Sequence, residues 1–168
     1  MGKLQESLLD HMKAGEIFTK RLGEENVHTI TSVSNLGSIQ EEMGDLQAAR
    51  QNQEKALSLG ENILGPGHPN IATYLSNLAS VLEKLGDPRG AIPLYERALA
   101  IEEIAFGPSH PTVAICLGNL AHALKESGDI EGAKDRLERA ITILIDFYGP
   151  DHPDVAKVKR NLESLNVI

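Results

Sequence analysis

The chain has 168 residues, of which 41% are apolar, 24% charged and 4% aromatic, with no Trp and a formal net charge of -8. No apolar run approaches the roughly 20 residues that cross a bilayer, the first ten residues lack a basic stretch followed by an apolar one, and the lone Cys116 excludes an internal disulfide framework. Residues 1–84 carry 7 basic and 11 acidic side chains and residues 85–168 carry 9 and 13, so no basic face for nucleic acid stands out, and the expectation is a cytoplasmic helical protein with no nucleic-acid or membrane partner.

Three markers recur every 42 residues. Asn-Leu stands at Asn35-Leu36, Asn77-Leu78, Asn119-Leu120 and Asn161-Leu162; Gly-Asp at Gly44, Gly86 and Gly128; Gly-Pro-x-His-Pro at Gly65, Gly107 and Gly149. A fixed period of this size marks stacked repeats, in which no single unit buries its apolar face alone. The expected layout is one array over 1–168: a half-repeat helix over 4–22, full repeats over 23–64, 65–106 and 107–148, and a capping helix within 149–168.

In chain order, the stretch from Leu4 to Leu22 reads as a helix. Met1-Gly2-Lys3-Leu4-Gln5 aligns with Met43-Gly44-Asp45-Leu46-Gln47, so this helix is a second half without its first. Gly23, Gly65, Gly107 and Gly149 each follow a long helix, where a left-handed glycine closes the C-terminus and Pro66, Pro108 or Pro150 stops continuation. The first joint departs, with Glu24 for Pro and Asn26-Val27 for His-Pro. Later first helices begin at Pro69, Pro111 and Pro153, since proline suits the first helical position. From Pro69 to Leu85, Ile71, Leu75, Leu78, Leu82 and Leu85 form an apolar stripe opposite Thr73, Ser76, Asn77, Ser80 and Lys84. Gly44, Gly86 and Gly128 end the first helices and Asp45, Asp87 and Asp129 cap the second ones, which run to Leu64, Phe106 and Tyr148. So short a junction makes an antiparallel helical hairpin. Small residues mark its close approaches: Gly37, Ala79 and Ala121 on one side, Ala49, Ala91 and Ala133, then Ala56, Ala98 and Ala140 on the other. Pro93 predicts a bend rather than a break.

At these residues the chain resembles the tetratricopeptide repeat. Leu36-Gly37 fits its Leu-Gly step outright, Leu78-Ala79 and Leu120-Ala121 fit it with alanine, and Ala91-x3-Tyr95 comes nearest its Ala-x3-Phe step, from which Gln53 and Leu137 depart, as Gln40, Leu82 and Leu124 do at its aromatic position. The unit is eight residues longer than the ordinary 34, in the manner of kinesin light chain repeats. The resemblance implies an all-α, right-handed superhelical solenoid of antiparallel helix pairs, about eight helices in all. It also implies a protein–protein interaction module whose first helices line a groove for an extended peptide segment of a partner. The positions on that side are Thr31, Ser34, Asn35 and Ser38; Thr73, Ser76, Asn77 and Ser80; Ile115, Gly118, Asn119 and His122; Lys157, Arg160, Asn161 and Ser164.

Catalytic and metal readings find no support. His68, His110 and His152 stand one repeat apart, farther than the ligands of one ion, and read as joint residues before proline. Ser, His and Asp are present without a Gly-x-Ser-x-Gly turn, and Gly65-Pro66-Gly67 lacks the lysine of a phosphate loop. Cys116, between Ile115 and Leu117, reads as a small buried side chain. No enzyme activity, cofactor or metal is expected.

The Asn ladder has a structural reading, bonding across helices, and a functional one, since a carboxamide both donates to and accepts from a peptide backbone. Adjacent first helices roughly 10 Å apart and about 3.3 Å per extended residue put one rung at every third ligand residue, or about ten residues over four rungs. Glu41, Glu42 and Glu83 flank the early rungs and Lys125, Lys157 and Arg160 the late ones, predicting acidic ligand residues at the late end. The alternative function is a regulatory or oligomerisation segment with an idle groove. Lys159 and Glu163 at otherwise apolar positions predict a solvated last helix with Ile168 near a chain end. Leu8, Leu9 and Met12 on the first helix predict a surface for a second copy or upstream sequence.

Overall fold

The computed structural model describes residues 26–165 without a break, together with Lys13, Ile17, Lys20, Arg21 and Gly23. Among the described residues there are seven α-helices and no strand: α1 (Val27–Met43), α2 (Leu46–Leu64), α3 (Pro69–Lys84), α4 (Pro88–Phe106), α5 (Pro111–Ser127), α6 (Ile130–Tyr148) and α7 (Pro153–Ser164). Of the helix expected over 4–22, only Lys13, Ile17, Lys20 and Arg21 are described, all helical; Leu8, Leu9 and Met12 lie outside the described residues. The chain forms two compact units, residues 1–86 with α1 to α3 and residues 87–168 with α4 to α7.

Helix starts follow from their capping side chains. Asp45, Asp87 and Asp129 accept from the backbone N–H of Ala48 (3.3 Å), Gly90 (2.8 Å) and Gly132 (2.9 Å). The longest of the three bonds faces the one residue with a Cβ; a methyl at Gly90 or Gly132 would collide with the capping carboxylate. At the other starts the histidine ring is the cap. Nδ1 of His68, His110 and His152 accepts from the N–H of Asn70 (3.1 Å), Thr112 (3.3 Å) and Asp154 (3.3 Å). Asn26 does the same for His28 (2.9 Å) at the first joint, which explains why its departure from His-Pro leaves the helix start intact.

The joint glycines correct the expected left-handed closure. Gly44 and Gly128 are left-handed, with φ 83° and ψ 5°, and φ 95° and ψ 1°. Gly65, Gly107 and Gly149 share the positive φ but have ψ of 153°, 154° and 161°. The difference lies in the next residue. Proline clashes with a helical conformation on its predecessor and drives ψ to the extended range, so Gly65, Gly107 and Gly149 occupy a region essentially closed to other residues. Gly107→Ala is therefore expected to destabilise the second unit by about 1–3 kcal/mol, whereas Gly67→Ala, with open space around its Cβ and no positive φ, changes little. Urea unfolding of the two variants checks this; equal stabilities would contradict it.

Within the first unit, α1 packs on α2 and α2 on α3. A Cβ on Gly37 would lie 2.8 Å from Gln53 Nε2 and 3.2 Å from the Ala49 carbonyl, and one on Gly60 would lie 2.9 Å from both Ile71 Cδ1 and Tyr74 Cε2. The stripe of α3 buries Ile71, Leu75 and Leu78 as expected, but Tyr74 and Val81 are buried as well. The helix is covered on more than one side, so a two-face reading undercounts its core. Within the second unit, Val113, Ala114 and Leu117 of α5 pack with Ala140, Ile143 and Leu144 of α6 and Val155 of α7. Val155 is the one buried residue within α7, and Lys159 and Glu163 are exposed as their charge requires. Helix α4 runs unbroken through Pro93.

Candidate binding cleft

A cleft of about 310 Å³ lies in the second unit, with α5 and α7 as walls and the end of α6 as floor. Pro111, Ala114, Ile115, Leu144, Tyr148 and Val158 supply its apolar surface, and Asn119, His122, Asp154, Lys157 and Asn161 its polar groups. A smaller hollow of about 100 Å³, bordered by Lys125, Leu137, Ser164 and Leu165, shares Gly118, His122 and Asn161 with it. The space exists because α5 has no side chain at Gly118, where an added Cβ would meet nothing within 4 Å. Ile115 is 64% exposed, an apolar surface that solvent disfavours and a ligand would cover.

Of the residues expected on this side, the cleft and hollow bring together Ile115, Gly118, Asn119, His122, Lys125, Lys157, Asn161 and Ser164. Arg160 is exposed but does not line either space. Leu144, Tyr148 and Val158 were not expected, because the groove was assigned to first helices alone and to their polar stripe. The signal for Leu144 and Tyr148 is in the sequence, since α6 stays apolar toward its C-terminus through Ile143, Leu144, Ile145, Phe147 and Tyr148.

In the first unit the corresponding positions are occupied differently. Ser34 is 3% exposed, so it is not a ligand-facing residue, contrary to expectation. Its hydroxyl donates to Gln53 Oε1 (2.9 Å) and accepts from Asn77 Nδ2 (3.2 Å). Gln53, fully buried, donates to the Ser34 carbonyl (2.9 Å) and the Ser38 hydroxyl (3.3 Å). A buried carboxamide needs such partners, since leaving it unpaired costs about 1–3 kcal/mol. Ser80 donates to Glu41 (2.6 Å) and Lys84 pairs with the same carboxylate oxygen (2.9 Å). Asn77 and Ser80 therefore bond across α1 and α3, the structural reading of the ladder, and Glu41 is largely spent inside the unit. Thr31 and Thr73 are exposed, the Thr31 hydroxyl donating to the Val27 carbonyl of its own helix (2.9 Å); Asn35 is exposed and Ser76 half-buried.

Electrostatics at the cleft are mixed. Lys125 and Lys157 supply positive charge, Arg160 stands exposed nearby on α7, and Asp154 opposes them within the cleft itself. The aromatic edge of the unit stacks around the capping histidines: His110 lies 5.2 Å from Phe106 and 6.1 Å from Phe147, and Tyr148 lies 4.8 Å from Phe147 and 4.3 Å from His152. Tyr148 thus joins the cleft floor to this edge. Cys116 is 2% exposed with its thiol toward the Tyr95 carbonyl (3.5 Å), and burial, then the nearby Glu102 and Glu103 carboxylates, pushes its pKa up to about 12. A thiol held protonated has no nucleophilic role. Among the described residues, no three His, Cys, Asp or Glu side chains gather to hold a metal, and no helix is long and apolar enough to cross a membrane.

Comparison with known proteins places this architecture. The chain is similar to solved structures of a Podosopora anserina protein named as a kinesin light chain, with nearly identical TPR-like repeats. One of them, a variant, aligns with TM-score 0.86 at 22% identity over 98% of this chain and 77% of the other. A second aligns with TM-score 0.85 at 22% identity over 98% and 78%. BtubC (BKLC) from P. vanneervenii aligns with TM-score 0.80 at 23% identity over 96% of this chain and 65% of its own. No curated protein sequence matches the chain. The family model for the tetratricopeptide repeat matches residues 29–103 and 75–146, well over half the chain. With capped helix pairs at a 42-residue period, the fold shared with those structures and this match, the chain belongs to the tetratricopeptide repeat family.

Proposed function

We propose that the cleft between α5 and α7 binds one extended peptide segment of a partner protein, with acidic ligand residues toward Lys125 and Lys157. Repeats of this family mediate protein–protein interaction on a non-catalytic scaffold. The observation that carries the finer reading is the cleft itself: exposed apolar Ile115 and the carboxamides of Asn119 and Asn161 border one hollow large enough for ligand atoms. Apolar walls with a few convergent polar groups are what binding sites of this size present. A carboxamide meets a peptide carbonyl or N–H equally well, so main-chain recognition follows, and the lysines set orientation more than affinity, at about 0.2–1 kcal/mol per exposed pair.

A peptide-library screen on the wild type and on a Lys157→Glu, Arg160→Glu variant tests this. The wild type is expected to select segments with acidic residues, and the variant to lose that selection while keeping its helical content. Arg160 lines neither space, so its substitution reports only on the field around the cleft, which salt screens over a Debye length of about 8 Å. Unchanged acidic preference in the variant, or undiminished binding after Asn119→Ala, would rule the mechanism out. Light scattering over a range of concentrations addresses the competing reading, self-assembly with an idle groove: mass that rises with concentration, together with an empty screen, favours it.

A further inference from the structure

The residues around Ser34 recur, 84 positions later, with the chemistry removed. Ser34, Gln53 and Asn77 correspond to Gly118, Leu137 and Asn161. In the first unit the Ser34 hydroxyl holds Asn77 Nδ2 at 3.2 Å and is itself held by Gln53 at 2.9 Å. In the second unit hydroxyl and buried carboxamide are both absent, while the asparagine remains. Gly118 and Asn161 border both the larger cleft and the smaller hollow, and Leu137 lies against the latter. Among the described residues the Asn161 carboxamide makes no hydrogen bond; only its backbone carbonyl accepts, from Ser164 (2.7 Å). Space above Gly118 is open to 4 Å and beyond.

We infer that Gly118 is the specificity-determining residue of the cleft, where a main-chain carbonyl of the bound peptide takes the place on Asn161 that the Ser34 hydroxyl takes on Asn77. This rests on the peptide reading above and sharpens it. Glycine admits a ligand backbone against the helix because it has no Cβ to hold it off, and a carboxamide N–H is a donor suited to a carbonyl acceptor. Ser34 is then a built-in occupant: it fills the corresponding place of the first unit from within, so that place does not read the ligand. The two units carry the same rung in closed and open forms, distinguished by one side chain and the buried residue behind it.

The test measures fluorescence polarisation of a labelled peptide recovered from the library screen, on the wild type and on Gly118→Ser, Gly118→Ala and Ser34→Gly variants. Gly118→Ser recreates the closed rung and is expected to weaken binding about tenfold or more, the worth of one well-made hydrogen bond together with lost space. Gly118→Ala adds only a methyl to open space at a helical position, so it folds and is expected to weaken the same peptide by at least about threefold, less than the serine because no hydroxyl competes for Asn161. Ser34→Gly is expected to leave affinity within about twofold. Wild-type binding that survives both Gly118 substitutions within twofold would overturn this inference while the cleft reading stands on its lysine and asparagine variants. A wild type that selects no peptide overturns both.

Discussion

Stability is expected to fall by about 4 kcal/mol between pH 9 and pH 12 through Cys116 alone, the free-energy equivalent of a three-unit pKa difference. The unfolded thiol loses its proton near its ordinary value of 9.0, whereas the folded one, buried and facing Glu102 and Glu103, holds it to about 12. Across that window the unfolded state binds fewer protons, so stability declines as pH rises; below pH 9 the contribution is fully present. Other groups titrate in the same range, and Cys116→Ala isolates the thiol. Denaturant unfolding of the two proteins at several pH values should give curves whose difference grows with pH above 9. Parallel curves would mean the thiolate is accommodated, and Cys116 is not as enclosed as its 2% exposure indicates.

Leu117→Ala is expected to cost about 2–5 kcal/mol, since Leu117 is fully buried among the side chains of α5, α6 and α7 and the vacated volume cannot collapse completely. Lys159 occupies the same repeat position one period later and is exposed, so Lys159→Ala should change stability by no more than about 0.5 kcal/mol. Urea unfolding followed by circular dichroism gives both values. Comparable losses in the two variants would contradict the assignment of α7 as a helix that packs by Val155, Val158 and Leu165 and leaves Lys159 in water.

The contrast between those two positions explains what was legible in the chain. Helix limits followed from residues whose backbone demands are local: glycine where φ is positive, proline at the first helical turn, aspartate before a free N–H. His68, His110 and His152 are legible as joint residues before proline, but their ring acceptors are not, because Ser, Thr, Asp and Asn are the usual caps. A left-handed reading of Gly65, Gly107 and Gly149 treats the following proline only as a helix stop, whereas its steric demand on the preceding ψ selects the extended form.

The site was legible by position and not by state. Asn77 and Asn161 are identical in pattern, but one is bonded across helices and the other borders a cleft, and the difference resides in Ser34 against Gly118 and Gln53 against Leu137. Gln53 carried the clue. It stands where Tyr95 and Leu137 are buried, and a carboxamide in that place needs partners on the facing helix, where Ser34 and Ser38 are within its reach. The cleft floor was not legible from first-helix patterns, since Leu144 and Tyr148 belong to the end of a second helix.

The most direct measurement is a nuclear magnetic resonance titration of the ¹⁵N-labelled chain with a library-selected peptide, following backbone and side-chain amide signals. The side-chain amides of Asn119 and Asn161 and the backbone amides around Ile115, Gly118 and Val158 should shift together and saturate with the peptide, while the side-chain signals of Gln53 and Asn77, held by Ser34, stay in place. Shifts centred on Gln53 and Asn77 with α5 and α7 unmoved would contradict binding in the cleft.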